Sequence, residues 1–300
     1  MSELRYDRRV AIVTGAGRGL GRAYARLLGA RGAKVVVNDL GGTADGAGAD
    51  GGPAASVAHE INVAGGEAVG DGNDVSTERG AEAIIDTALD AFGRVDIVVN
   101  NAGIMRWGDI PEVSTDDLQR TLDVHLFGSF NVTKAAWPHL VEQGYGRIVM
   151  TTSTGMLGLR GNLAYAAAKA GTVGMTRSMK LTAARHGIAV NLIAPAAATR
   201  LGGDPEEGSD GDGPMSPDLV AAMVAYLAHE DCAVNGEIYV AGAGRFSRLF
   251  IGSTPGWVGT DGTPTVEDVA AHWNEINDEA DYTVPADLPA WAVTFMSHLE

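Results

Sequence analysis

The 300-residue chain predicts a doubly wound α/β fold, a seven-stranded parallel sheet with helices on both faces and a C-terminal extension. Short runs rich in valine and isoleucine alternate with longer stretches of helical periodicity, and the apolar runs show no polar alternation. Strands of this kind are buried on both faces, as in parallel sheets with helical crossovers. The composition, 45% hydrophobic and 20% charged, is that of a globular chain with a sizeable core.

Each predicted strand is a β-branched run bounded by glycine, proline or acidic turn residues. In chain order the strands are 9–14, 34–38, 67–70, 95–100, 147–151, 189–193 and 237–240. Each predicted helix repeats apolar residues three and four apart. The helices are near 19–31, 53–64, 77–91, 116–143, 164–186 and 217–229. Residues 1–250 are therefore expected to form one domain.

Three segments break this alternation. Gly41–Pro53 is a glycine-rich loop with no periodicity, expected to be a mobile surface loop. Gly202–Pro217 carries five acids and no base, and a long loop of this kind predicts a lid over the substrate. Residues 251–300 are expected to pack on the domain or on a neighbouring subunit, with a helix over Thr265–Asp278 that is capped by Thr265 or Thr263.

Charge and composition exclude several classes of partner. A formal charge of −16 disfavours nucleic acid, because the chain repels a phosphate backbone at long range. No run approaches the length of apolar sequence that crosses a membrane, and the first residues show no secretory signal. The single cysteine, Cys232, fits a reducing compartment. We expect a cytoplasmic protein that acts on a small molecule and binds no metal.

A glycine cluster, TGAGRGLG, follows the first predicted strand and opens the first helix. Glycines at such a turn let backbone N–H groups and the positive end of a helix approach a pyrophosphate. A carboxylate, Asp39, ends the second strand, where it would accept hydrogen bonds from the adenosine ribose and repel a 2′-phosphate. Arg18 could hold that phosphate or pair with Asp39. The carboxylate favours NAD as the cofactor, and NADP is the alternative. The candidate contacts in this cluster are Gly15, Arg18, Gly19, Leu20 and Gly21.

Tyr165 and Lys169 are four residues apart, so they lie on one face of a predicted helix. A phenol with its ordinary pKa near 10 is a poor base at neutral pH. One cation at ~4 Å supplies about 4 kcal/mol of phenolate stabilisation before desolvation losses, which is enough to lower that pKa by two to three units. The pair therefore predicts an acid–base site.

The glycine cluster, Asp74-Val75, the Asn100–Gly103 run and the YAAAK sequence occur in the order and spacing of the short-chain dehydrogenase/reductase family, which the chain resembles over residues 8–243. The resemblance implies a Rossmann fold and hydride transfer between a nicotinamide and a carbinol or carbonyl. It implies that Asp74 and Val75 flank the adenine, and that Asn101, Ala102 and Gly103 line the path of the cofactor. Tyr165 would exchange the carbonyl proton, and Lys169 would also hold the nicotinamide ribose.

A narrower group within the family is also similar. NDLGG, DVHLFGSF and LAHEDC resemble the (3R)-hydroxyacyl-CoA dehydrogenase region of type 2 peroxisomal multifunctional enzymes and its stand-alone bacterial relatives, some of which act on steroid hydroxyls. The resemblance implies a secondary alcohol on an acyl-CoA or a steroid as substrate. It also implies a homo-oligomer, a tetramer or a dimer, built on the two long helices.

Three positions depart from the family pattern, one of them Ala196, which follows Pro195 where the family usually has glycine. Most members have a serine 13 residues before the tyrosine, and here that position is Thr152, with Ser153 next to it. Either hydroxyl could orient the substrate carbonyl. His125 replaces the usual asparagine, as in the narrower group, and serves either a proton relay or structural support.

The resulting hypothesis is an NAD-dependent oxidoreductase that acts on a 3-hydroxyacyl-CoA or a hydroxysteroid. An NADP-dependent 3-ketoacyl reductase and a non-catalytic dinucleotide-binding protein are the alternatives. Coenzyme A would need basic residues near the mouth of the site, and without them an uncharged substrate would fit better. The candidates are Arg160, Arg200, Arg245 and Arg248.

Overall fold

The computed structural model describes residues 3–199, 201, 213–259 and 262–299. The chain divides into two compact units, Met1–Arg248 and Leu249–Glu300. Arg200 and residues 202–212, which include most of the predicted lid, lie outside the described residues. Among the described residues, no helix is both long and apolar enough to cross a membrane.

A single sheet forms the centre of the first unit, with strand order β3-β2-β1-β4-β5-β6-β7-β8. The first seven strands pair in parallel, as predicted. Their bounds are β1 Val10–Thr14, β2 Lys34–Asn38, β3 Glu67–Asp71, β4 Ile97–Asn100, β5 Gly146–Thr151, β6 Ile188–Ala196 and β7 Ile238–Gly242. Valine-rich β1 and β4 are buried along their whole length, which explains why their apolar runs predicted them.

The predicted count of seven strands is wrong by one, because β8, Arg245–Leu249, extends the sheet edge. The chain doubles back after β7 through Ala243 and Gly244, which both have positive φ angles, of 49° and 73°. Two such residues make the tight turn of a hairpin. The polar sequence RFSRL gave no apolar signal, because four of its five residues are exposed at the edge.

Helices cover both faces of the sheet and begin within a few residues of the predicted positions. They are α1 Gly19–Ala30, α2 Gly52–Val63, α3 Glu78–Phe92, α4 Thr115–Leu122, α5 Gly128–Gln143, α6 Leu163–Ala183 and α7 Asp218–Ala228. Local signals fix their ends: Thr77 caps α3 through the N–H of Gly80, and Gly93, with a φ angle of 77°, ends it. Ser114 and Asp117 form a capping box at α4.

The predicted helix 116–143 is divided by a π-helical turn, Asp123–Phe127, between α4 and α5. The ring of His125 lies inward from this turn, with its Nε2 atom 2.7 Å from the carbonyl oxygen of Ile104 and 3.1 Å from the nitrogen of Ile104. The wide turn is thus held against the segment that follows β4. Such π turns are frequent at functional sites.

The described part of the second unit has three short α-helices, α8 Val266–Ala271, α9 Trp273–Ile276 and α10 Leu288–Phe295. Thr265 caps α8 in a capping box with Asp268, which confirms one of the two predicted caps. The predicted continuous helix is interrupted at His272, whose ring stacks on Trp257 at a centroid distance of 4.1 Å.

Candidate active site

A cavity of about 1320 Å³ opens at the carboxyl ends of the parallel strands, where doubly wound folds bind their ligands. The strand ends are in register, with Thr14 of β1 beside Asn38 of β2 and Asn38 beside Asp71 of β3. Most residues that the sequence singled out line this cavity. They are Gly15, Arg18, Gly19, Leu20, Gly21, Asp39, Asp74, Val75, Asn101, Ala102, Gly103, His125, Ser153, Tyr165 and Lys169.

The glycine turn between β1 and α1 leaves no room for side chains. A β-carbon on Gly21 would lie 2.2 Å from the carbonyl oxygen of Gly15, and one on Gly15 would lie 2.7 Å from the Cα atom of Ala102. Gly15 and Gly19 also have positive φ angles, of 61° and 52°. Glycine is therefore required here on both steric and conformational grounds, and the bare backbone can approach an anion at the start of α1.

Asn101 holds this turn in place from the end of β4. Its side-chain amide donates hydrogen bonds to the carbonyl oxygens of Thr14 (2.9 Å) and Gly15 (3.0 Å). In return, the hydroxyl of Thr14 accepts the backbone N–H groups of Asn101 and Ala102. The two loops that face the cavity from β1 and β4 are thus one rigid unit.

The Asp39 carboxylate is buried beside the glycine turn. One oxygen accepts the backbone N–H of Gly17 at 2.8 Å, and the other accepts that of Gly41 at 2.7 Å. Arg18 is exposed and lines the cavity, and no ion pair joins it to Asp39 among the described residues. The carboxylate is therefore fixed, whereas the guanidinium is free to follow a ligand.

Asp71, which the sequence analysis did not single out, organises the loop after β3. Its carboxylate accepts hydrogen bonds from the side chains of Asn38 (2.7 Å), Asn73 (2.7 Å) and Thr87 (2.7 Å). It also accepts the backbone N–H of Asn73 at 3.0 Å. This network fixes the start of the loop that presents Asp74 and Val75 to the cavity. Asp71 ends β3 between two glycines, where a carboxylate resembles ordinary turn chemistry, so no sequence signal marked it.

Tyr165 and Lys169 lie on α6, with the Nζ atom of Lys169 5.5 Å from the centre of the Tyr165 ring. Lys169 is buried and donates to the carbonyl oxygen of Thr151 at 2.8 Å. Burial lowers the pKa of Lys169 to about 7. Burial also raises the pKa of Tyr165, and a hydrogen bond with Ser153 opposes this rise. The lowering of the phenol pKa by Lys169 together with an oxidised nicotinamide stays a prediction.

The two candidate hydroxyls after β5 face in different directions. The Thr152 side chain is fully buried, does not line the cavity and donates to the carbonyl oxygen of Lys169 at 2.7 Å. Ser153 lines the cavity beside Tyr165, and its oxygen accepts the N–H of Gly155 at 3.0 Å. The geometry therefore favours Ser153 over Thr152, since consecutive residues of an extended chain point to opposite sides.

His125 packs edge-on against the Tyr165 ring, with 5.1 Å between the ring centroids. Burial, followed by the nearby Lys169 charge, holds the pKa of His125 well below its usual value, so the ring is neutral. Its Nδ1 atom is buried and has no hydrogen-bond partner in the described structure. Its Nε2 atom lies within hydrogen-bond distance of both the N–H and the carbonyl oxygen of Ile104, and the tautomer with the proton on Nε2 would donate to that oxygen and leave Nδ1 as an acceptor.

The glycine-rich segment 41–53 is held in place, contrary to the expectation of a mobile surface loop. Its Ala44 carbonyl oxygen accepts the N–H of Met105 at 2.8 Å. Arg106 bridges Asp45 to α4, donating to the Asp45 carbonyl oxygen at 3.0 Å and to the Asp117 carboxylate at 2.7 Å. This strap, residues 42–47, contributes Gly42, Thr43 and Gly46 to the cavity wall.

Exposed apolar side chains also line the cavity. Trp107 and Leu159 line it and are 54% and 58% exposed. Arg160 follows Leu159 at the rim and is 3.4 Å from Asp109, whereas Arg245 and Arg248 lie on β8, where Arg248 pairs with Glu237. None of the three arginines lines the cavity. Cys232 is buried among apolar residues, which indicates a structural role.

These residues fit a nicotinamide dinucleotide. The bare glycine turn accepts a pyrophosphate, the fixed Asp39 carboxylate can accept ribose hydroxyls, and Lys169 lies beside the proposed proton-transfer group. In the described part of the chain, no group of three or more histidine, cysteine or acidic side chains is arranged to hold a metal ion.

The chain matches the family model of the short chain dehydrogenases over residues 9–202. It is 48% identical to a putative short-chain dehydrogenase/reductase of Mycobacterium tuberculosis, over 90% of this chain and 94% of that one. It is 46% identical to peroxisomal multifunctional enzyme type 2 of Drosophila melanogaster, over 92% of this chain and 46% of the relative, so it spans about half the length of that protein. The structure of that Drosophila enzyme superimposes with a TM-score of 0.80 at 36% identity, over 99% of this chain and 50% of that one. The fold, the glycine turn and these similarities together establish that the chain belongs to the short-chain dehydrogenase/reductase family of oxidoreductases.

Proposed function

We propose that the protein is an NAD-dependent dehydrogenase that oxidises the secondary alcohol of a 3-hydroxyacyl thioester. The observation that carries this proposal is the shared cavity. The glycine turn and Asp39 line one part of it, and Ser153, Tyr165 and Lys169 line another. A dinucleotide bound at the glycines would therefore reach the acid–base residues.

The choice of NAD over NADP follows from Asp39. Its carboxylate is held by two backbone N–H groups, so it cannot move away from a 2′-phosphate. A fixed anion at that point repels the phosphate and binds the free ribose hydroxyls. Arg18 supports the alternative of an NADP-dependent ketoreductase, because its exposed guanidinium lines the same cavity.

In the proposed mechanism, Ser153 orients the substrate hydroxyl and Tyr165 removes its proton. The bound nicotinamide supplies the acceptor for the hydride that leaves the carbinol carbon, so the alcohol becomes a ketone. Lys169, in its protonated form, stabilises the Tyr165 phenolate. The neutral His125 ring packs edge-on against Tyr165, which supports a structural role in positioning the phenol.

The thioester is favoured by the resemblance of the sequence to hydroxyacyl-CoA dehydrogenase regions. The phosphates of coenzyme A lie at the far end of a flexible arm, so a cation at the rim, such as Arg160, can meet them without lining the cavity. A hydroxysteroid is the second candidate substrate, because Trp107 and Leu159 give the mouth an apolar surface and none of the described candidate arginines lines it.

The test measures the appearance of reduced cofactor with (3R)-hydroxyacyl-CoAs and hydroxysteroids, each with NAD and with NADP. We expect turnover of the acyl-CoAs with NAD and loss of turnover in Tyr165→Phe. Dinucleotide binding without turnover of any substrate would instead support a non-catalytic binding protein. Preferential turnover with NADP would support the ketoreductase.

We also propose a cytoplasmic homo-oligomer. The buried free thiol of Cys232 suits a reducing compartment. Phe127 ends the π turn and is 46% exposed, Phe130 in the first turn of α5 is 42% exposed, and Leu181 on α6 is 49% exposed. These side chains give the two long helices apolar surface for a second copy. Size-exclusion chromatography with light scattering tests the assembly.

A further inference from the structure

Two adjoining loops beside the cavity carry four large apolar side chains that are exposed. Trp107 and Ile110, in the loop after β4, are 54% and 75% exposed, and Leu157 and Leu159, in the loop after β5, are 70% and 58% exposed. Trp107 and Leu159 line the cavity. A lone exposed apolar residue is ordinary, whereas a larger exposed apolar group marks a binding surface. We call these four side chains the apolar platform.

Hydrogen bonds join the two loops. The N–H of Gly108 donates to the carbonyl oxygen of Gly161 at 2.8 Å, and the Asp109 carboxylate accepts the N–H of Gly161 at 2.6 Å. Trp107 lies at this junction, because a β-carbon built on Gly161 would lie 3.9 Å from its Cε3 atom. Leu159 is two residues before Gly161 in the same loop. The junction therefore holds Trp107 and Leu159 within one piece of structure.

The apolar platform adjoins the proposed acid–base residues. A β-carbon built on Gly155 would lie 3.1 Å from Asn162 Nδ2 and 3.4 Å from Tyr165 Cε1, so the side chains of Asn162 and Tyr165 are neighbours. Asn162 directly follows Gly161, against which Trp107 packs. Tyr165 and Trp107 both line the cavity. A group attached to a carbinol at Tyr165 can therefore extend along the wall that Trp107 forms.

The chemistry of this wall selects the group that would cover it. Arg160 is the one charged residue of segment 153–162, and its exposed side chain pairs with Asp109. The substrate of the proposed function carries two groups on its reacting carbinol, an alkyl chain and the thioester arm. The arm ends in amides and phosphates, which lose hydration against apolar side chains. The alkyl chain instead gains free energy when apolar side chains remove it from water.

We propose that the apolar platform binds the alkyl chain of the substrate and makes the enzyme selective for long chains. Complete removal of one methylene from water strengthens binding about fourfold, and contact on one face about twofold. Trp107 and Leu159, which line the cavity, would contact the carbons nearest the carbinol. Ile110 and Leu157 would contact only the far end of a longer chain. This inference rests on the proposed function and adds chain length to its substrate.

The experiment measures kcat/KM with saturating NAD for (3R)-hydroxyacyl-CoAs of four, six, eight and ten carbons. In the wild type we expect a rise of about twofold per methylene, or about 60-fold from four to ten carbons. In the double variant Trp107→Ser, Leu159→Ser, this ratio should fall below about tenfold. In the double variant Ile110→Ser, Leu157→Ser, the rise should stop at the longest chains. Each ratio is taken within one protein, so a uniform loss of active protein cancels.

Val63→Ser is the matched control. Val63 is 73% exposed on α2 but does not line the cavity, so the dependence on chain length should stay at the wild-type value. A smaller oligomer mass in the platform variants, with unchanged dependence on chain length, would assign the surface to a second copy and overturn the inference. Turnover of all four thioesters without dependence on chain length also overturns it and leaves the proposed function standing. Absence of turnover on every thioester, with turnover of a hydroxysteroid, overturns both.

Discussion

Lys169 links folding to catalysis at the scale of a single residue. Its ammonium is buried and has one described hydrogen-bond acceptor, the Thr151 carbonyl oxygen. Burial penalises the charge and lowers the pKa of the group from its ordinary value of 10.5 to about 7. An ionisable amine buried beside Tyr165 therefore destabilises the folded state, and such groups are typical of functional sites.

This cost predicts a pH-dependent stability difference between the wild-type protein and Lys169→Met. Between pH 7 and 10.5 the unfolded chain holds the lysine proton and the folded chain releases it. The contribution of Lys169 to the free energy of unfolding therefore rises as the pH rises from 7 toward 10.5. The slope is about 1.4 kcal/mol per pH unit. Between pH 7 and pH 9, we expect the free energy of unfolding to rise by about 2–3 kcal/mol more in the wild type than in Lys169→Met. Urea titrations at both values measure it, and parallel changes in the two proteins would contradict it.

The two hydroxyls after β5 give a second prediction. Ser153→Ala removes the hydroxyl that lines the cavity, so we expect kcat to fall about 100-fold with little change in stability. Thr152→Val removes a buried hydroxyl that bonds the Lys169 carbonyl oxygen, so it should cost about 1 kcal/mol of stability and leave kcat within a fewfold of wild type. Steady-state kinetics and thermal unfolding separate the two. The reverse pattern would assign the role to Thr152.

Cofactor choice gives a third prediction, at Asp39. Asp39→Ala removes the fixed carboxylate, so the Kd for NAD should rise about tenfold and the Kd for NADP should fall, because Arg18 is then free to meet the 2′-phosphate. Arg18→Ala is the matched control and should weaken NADP binding more than NAD binding. Isothermal titration with both cofactors measures the change. An unaltered preference in Asp39→Ala would assign the selectivity to other residues.

At the scale of an element, the strap over residues 42–47 depends on Arg106. This side chain joins the strap to α4 through the Asp45 carbonyl oxygen and the Asp117 carboxylate. Arg106→Met removes both contacts. The hydrogen bond from the Met105 N–H to the Ala44 carbonyl oxygen still joins the strap to the segment after β4. We expect faster amide hydrogen exchange over 42–47 and a fewfold weaker affinity for NAD. Lys134→Met, which removes the exposed ion pair with Glu78, is the control. Unchanged exchange in Arg106→Met would show that the backbone bond alone holds the strap.

At the scale of the whole molecule, the sequence predicted the parallel sheet because buried strands carry a strong apolar signal. It missed β8, whose exposed residues carry none. The π turn at His125 was not predictable, since it depends on a contact with Ile104 that is distant in sequence. The choice between Thr152 and Ser153 needed the direction of each side chain. Residue types predicted the chemistry, and only the packing decided which of the two hydroxyls lines the cavity.

The division of the chain into two units gives the last prediction. Every described residue that lines the cavity belongs to Met1–Arg248. The second unit exposes a series of large apolar side chains. They include Val266, Trp273, Leu288, Val293, Phe295 and Leu299. Exposed apolar surface of this extent is typical of an interface, and we predict that the extension contributes to the packing of one subunit on another.

Removal of residues 249–300 should therefore change assembly more than cofactor binding. We expect the shortened chain to have a smaller oligomer mass by light scattering and still to gain thermal stability on addition of NAD, because ligand binding stabilises the folded state by mass action. The full chain at the same concentration is the control. A shortened chain with the same mass as the full oligomer would exclude an intersubunit role for the extension. A shortened chain that is folded but insensitive to NAD would show that the dinucleotide site needs residues beyond Arg248.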